Sequence, residues 1–131
     1  MNFDFSDDQK LLKESVKKML SDKCDLGRVR KVLDGDQPFA KDVWDALVEM
    51  GVTGTAIPEE YGGQGDDIYA AAAVIDELCQ GGPSMAGPFI HAAFYGGLNI
   101  SENGSPEQKE ALLPKLARGE MFLCYGLSEP N

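Results

Sequence analysis

Between Pro58 and Gly65 the chain reads PEEYGGQG, a loop with three glycines, two carboxylates and a tyrosine. Glycine-dense loops hold phosphates when successive backbone N–H groups converge on the anion, helped by a helix N-terminus and a nearby lysine. Here the charged side chains are Glu59 and Glu60, and no Lys or Arg occurs from Asp42 to Gln108, so the stretch repels phosphate. Gly62, Gly63 and Gly65 are instead expected to supply the positive φ angles of a tight reversal. The other reactive residue types are sparse. The single histidine, His91, has no Cys or carboxylate three or four positions further on, so no zinc set is completed. Cys24, Cys79 and Cys124 lie far apart without a CxxC pair, and their odd number suits reduced, idle thiols in a cytosol-like compartment. With one histidine and no nucleophile motif of the G-x-S-x-G kind, the residues by themselves supply no catalytic machinery.

The 131 residues with 43% apolar content suit one domain built around one core. Twelve Lys and Arg against 22 Asp and Glu give a formal charge of −10, which opposes nucleic acid and anionic membrane surfaces as partners. Nine of the twelve basic residues precede Asp42, and the others are Lys109, Lys115 and Arg118. No apolar run approaches the ~20 residues that cross a bilayer. Asp4, Asp7 and Asp8 stand where a signal peptide would carry positive charge, so a cytoplasmic protein without membrane insertion is expected.

The elements follow from caps and periodicity. Ser6 and Gln9 form a capping-box signature before apolar residues at Leu12, Val16, Met19 and Leu20, which predicts a helix over 7–22. A short helix around 28–33 ends at Asp34-Gly35, and 41–50 forms another that stops at Gly51. DDIYAAAAVIDELCQGG opens with two acids and is apolar nearly all round at 70–75, so it is expected to be the central helix. A fifth helix is predicted over 85–100, with a weak point at Gly96-Gly97 and its end at Asn103-Gly104. If it forms, Pro88, His91, Ala92 and Tyr95 share a face at i, i+3, i+4 and i+7. Ser105, Pro106 and Gln108 start a sixth helix, which Pro114 should bend or split. MFLCYGL then reads as a strand. A lone strand has no partner, which implies that 121–131 begins a second domain lying outside this sequence. The expected fold is thus all-α, an up-and-down-like six-helix bundle over 1–120, ending in the first strand of a β domain.

Three stretches taken in order, FSDDQKLLKESVKKML, VWDALVEMGVTGTAIPEEYGGQG and GSPEQKEALLPKLARGEMFLCYGLSEPN, resemble the N-terminal helical domain of the acyl-CoA dehydrogenase family. The resemblance spans essentially the whole chain. It implies a parent enzyme with a helical N-terminal domain, a central β domain and a C-terminal helical bundle, binding FAD between them. It also implies an activity: a carboxylate base removes the α-proton of an acyl-CoA thioester while a hydride passes from the β-carbon to the flavin. In the family that base lies in the C-terminal part, so no catalytic residue is expected here and this stretch alone should be inert. Acyl-CoA as substrate, an electron-transferring flavoprotein as acceptor and a homodimer or homotetramer are implied in the same way. Acyl-CoA oxidases and flavin monooxygenases share the architecture, and nothing before Asn131 separates them. A non-enzymatic helical module that binds a partner through exposed apolar surface remains a distinct alternative.

YGLSEPN resembles the family's flavin-contacting stretch, with Ser in place of the commoner Thr. The resemblance implies that the main chain at Tyr125 and Leu127 and the hydroxyl of Ser128 approach the isoalloxazine ring. Serine keeps the hydroxyl and loses the methyl that restricts its rotamer. It further implies that Pro88, His91, Ala92 and Tyr95 line the acyl-chain tunnel, where His91 and Tyr95 would favour a short, branched or ring-bearing acyl group. The same face could equally pack against a neighbouring helix, with His91 an ordinary core or surface residue.

Overall fold

Short polar side chains open most of the helices in the computed structural model, which describes residues 4–35, 38–65 and 67–130. Ser6 Oγ accepts from the Gln9 N–H (3.2 Å) and Gln9 Oε1 accepts from the Ser6 N–H (3.0 Å), a reciprocal box that starts α1, Asp7–Lys23. Asp25 accepts from the Arg28 N–H at 2.7 Å and starts α2, Leu26–Asp34. Helix α3, Lys41–Glu49, has no side-chain cap but stops as expected, with Gly51 at φ 72° donating to Val48 O. Asp67 accepts from the N–H groups of Tyr69 and Ala70, both at 2.9 Å, and starts α4, Ile68–Gln80. The other acid of that pair, Asp66, lies outside the described residues.

Helix α5 is composite. It begins as an α-helix over Pro83–Ile90, widens to a π-helix over His91–Leu98 and finishes as an α-helix over Asn99–Asn103. The expected weak point at Gly96-Gly97 is therefore no break; the turn widens instead. A Cβ added at Gly96 would stand 2.7 Å from Leu116 Cδ2, and one at Gly97 3.0 Å from Ile57 Cγ1, so both glycines serve close approach. A second capping box, Ser105 with Gln108, starts α6, Pro106–Ala117.

Pro114 does not split α6, which runs on through it to Ala117. Proline removes the donor to the carbonyl four residues earlier. That residue is Glu110, which is exposed, so water can take the place of the missing bond. The strand expected from 121 onwards is also absent: residues 121–130 carry no regular structure, and Asn131 lies outside the described residues. Ladder hydrogen bonds need a neighbouring edge, and no other strand occurs among the described residues.

Helix α4 packs against α1 and α5, as expected of the central helix. The main core gathers Val16 and Leu20 of α1, Trp44 and Leu47 of α3, Val74 and Leu78 of α4, and Phe89 of α5. A smaller cluster joins Ile57 to Leu113, Leu116 and Ala117 of α6. Among the described residues, no helix is long and apolar enough to cross a membrane.

Candidate functional site

The glycine loop spends its N–H groups on itself. Gly62 donates to Glu59 O, Gly63 to Pro58 O, Gln64 to Gly54 O and Gly65 to Ile57 O, at 2.9 to 3.2 Å. The N–H groups of all three glycines are thus taken by nearby carbonyls, which fits the charge argument. Two glycines do supply positive φ, Gly62 at 82° and Gly65 at 109°. Gly63 does not: a Cβ there would lie 1.9 Å from Ile57 O, so glycine is required by contact with the backbone rather than by its own angle. Among the described residues no cluster of His, Cys, Asp or Glu could hold a metal ion.

The chain leaves α6 through Gly119 at φ 66° and then lies across the face of the bundle. Trp44 Nε1 donates to Gly119 O at 3.2 Å, while the Thr53 hydroxyl donates to Ala117 O at 2.6 Å. The Phe122 ring sits edge-on to Phe39 (5.4 Å between centroids) and tilted against Trp44 (4.8 Å). One residue later, Leu123 turns to the opposite side and packs on the Ile57 cluster. Its N–H donates to His91 O at 3.4 Å, and its carbonyl lies 3.1 Å from His91 Nδ1. A carbonyl can only accept, so this contact requires the hydrogen on Nδ1. Tyr95 stands edge-on to His91 (5.1 Å) and stacks on Tyr125 (4.5 Å, 25° between planes).

Beside this ladder of rings a cleft of about 480 Å³ opens between Phe39, Ser84, Gly87, Pro88, His91 and Phe122. Ser84 Oγ is buried next to it without a hydrogen-bond partner. The structure thus brings Pro88 and His91 to one cleft and joins His91 to Tyr95 and Tyr125. Ala92 is elsewhere, fully buried in the main core. The shared face assumed an α-helical period, and the wider π turn that starts at His91 changes it. Leu127, 84% exposed, and Ser128 follow on the open end of the segment, beyond Tyr125 at 52%. Phe39, Trp44 and Leu123, which contribute most to this arrangement, carry no local signal in the sequence beyond being apolar.

Residues 6–120 match the family pattern described as the acyl-CoA dehydrogenase N-terminal domain. The chain belongs to the acyl-CoA dehydrogenase family. It is 33% identical to mitochondrial isovaleryl-CoA dehydrogenase of Arabidopsis thaliana, over 97% of this chain and 31% of that protein. It is 30% identical to a probable acyl-CoA dehydrogenase of Bacillus subtilis (strain 168), over 100% of this chain and 34% of that protein. The crystal structure of an acyl-CoA dehydrogenase complexed with FAD from Bacillus anthracis superposes with a TM-score of 0.84 at 28% identity, covering 97% of this chain and 22% of the other. The chain therefore spans about a third of the length of the curated relatives it matches. The helical fold of an acyl-CoA dehydrogenase N-terminal domain, expected from the three motifs, is the fold observed.

Proposed function

We propose that residues 1–120 are the N-terminal domain, and 121–131 the start of the middle β domain, of a flavin-dependent acyl-CoA dehydrogenase. The observation that carries this proposal is the course of residues 119–128. The stretch ending in YGLSEP leaves the bundle extended and exposed, tied to the same helix that bears Pro88, His91 and Tyr95. Main-chain groups at Tyr125 and Leu127 and the Ser128 hydroxyl are open to a ring with polar edges, and so fit FAD. When bound, FAD would supply the hydride acceptor for α,β-dehydrogenation of an acyl-CoA. This chain's part is to bind and orient: Tyr125, Leu127 and Ser128 toward the flavin, Pro88, His91 and Tyr95 as the wall met by the acyl group. Ala92 would support that wall from the core side rather than touch substrate. A wall of one phenol ring, an imidazole and a proline is bulky and partly polar, which favours short, branched or ring-bearing acyl groups over long straight ones.

The carboxylate base would come from another part of the parent, with an electron-transferring flavoprotein as acceptor and a homo-oligomer as the assembly. These three points rest on the family likeness alone. The decisive experiment expresses the longest reading frame that contains this chain and records its visible spectrum. A yellow protein that bleaches anaerobically with isovaleryl-CoA, and poorly with palmitoyl-CoA, supports the proposal. A colourless product, or a flavin indifferent to every acyl-CoA offered, overturns it in favour of a helical binding module.

A further inference from the structure

A segment with no sheet to pair with is nonetheless held in one register. Phe122 enters the cage of Phe39 and Trp44, while its neighbour Leu123 faces the Ile57 cluster on the other side. Sliding an extended chain by one residue exchanges those two sides. Aromatic cages alone do not forbid such a slip, because apolar contact is non-directional. Hydrogen bonds to a particular peptide group do forbid it. His91 makes two, accepting from the Leu123 N–H through its carbonyl and donating to the Leu123 carbonyl through Nδ1–H.

We propose that His91 is a positioning residue: it clamps the main chain at Leu123 and so sets where Tyr125, Leu127 and Ser128 are presented. That those three face a flavin rests on the function proposed above, whereas the clamp does not. The junction between the α and π parts of α5 carries the imidazole, with Tyr95 against its edge and Tyr125 stacked beyond. The clamp and the ring stack thus act on successive parts of one segment, the first on the peptide at Leu123 and the second on a side chain two residues later. Geometry also specifies the tautomer. Hydrogen on Nδ1 is the form the Leu123 carbonyl requires.

The test uses this chain in solution. In the wild type, ¹⁵N spectra of neutral His91 should show the hydrogen on Nδ1, and the Leu123 amide should exchange slowly. Asparagine can place an amide N–H where Nδ1–H stands, whereas glutamine reaches too far and alanine donates nothing. H91N should therefore keep Leu123 protected and Tyr125 and Leu127 ordered in ¹⁵N relaxation. H91Q and H91A should speed Leu123 exchange about fivefold to tenfold, with the amides of Ala71 and Val74 in α4 unchanged. Hydrogen on Nε2 in the wild type overturns the proposal even if every variant fails to fold. So does equal protection in all three variants, or loss in H91N as large as in H91A. If the clamp behaves as described and the longer product binds no flavin, it is the proposed function that fails.

Discussion

Gly63 and Gly62 are adjacent, yet replacing them should have different consequences. A Cβ at Gly63 would be driven into Ile57 O at 1.9 Å, a backbone atom that cannot turn aside, whereas at Gly62 it would meet nothing within 4 Å. The strain at Gly62 is only that of φ 82°. Gly62→Ala should cost about 1–2 kcal/mol, the ordinary left-handed penalty. Gly63→Ala should cost about 3 kcal/mol or more, because the hairpin between Gly54 and Gln64 has to open to accept it. Urea midpoints at constant slope measure both, and equal costs would show that the loop yields as easily at one position as at the other. At the same scale, Thr53→Val keeps the volume and removes the donor to Ala117 O. About 1–2 kcal/mol should be lost, since Thr53 is fully buried and its partner Ala117 nearly so.

Among the elements, α4 depends on a charged cap, and its stability should carry a pH signature. Burial works to raise the Asp67 pKa, but the Gln9 side-chain amide and the N–H groups of Ala70 and Tyr69 outweigh it, leaving the carboxyl below its ordinary 3.8. A depressed folded-state pKa contributes stability that is fully present above the unfolded value and is lost as pH falls through the folded one. Asp67→Asn keeps a capping oxygen and removes the charge. The wild type should thus exceed this variant in stability at pH 6, with the difference shrinking below pH ~4 in urea titrations; a difference independent of pH would mean that the charge plays no part. Caps of this kind are why the helices were legible: Ser6 with Gln9, Asp67, Ser105 with Gln108 and Gly51 act within four residues, so spacing alone reveals them. The π turn was not legible, because HAAFYGGL is mostly small or apolar and offers no period to read. Pro114 does not split α6, and the Glu110 carbonyl that it leaves without a donor belongs to an exposed residue. The candidate site was legible only in part. His91 and Tyr95 lie on one helix, but Leu123 and Tyr125 meet them from about thirty residues away, a distance that no local pattern encodes.

At the scale of the whole chain, two opposed forces govern its behaviour in solution. Tyr125 and Leu127 leave apolar surface exposed at the end of the bundle, next to a cleft lined by Phe39, Pro88 and Phe122. Contiguous apolar surface of this kind drives association. The formal charge of −10 opposes it, since two copies repel over a Debye length of about 8 Å at physiological ionic strength. Salt weakens the repulsion and leaves the apolar attraction intact. The isolated chain should accordingly be mainly monomeric at low ionic strength and form larger species as NaCl is raised, as followed by sedimentation velocity. Introducing charge into the patch, by Leu127→Glu together with Tyr125→Glu, should keep the chain monomeric at every salt concentration. Association that weakens with salt would point to ion pairs between copies instead. No acyl-CoA turnover should accompany either state, because under the proposed function this chain only orients and encloses, while the proton acceptor is expected from the remainder of the parent.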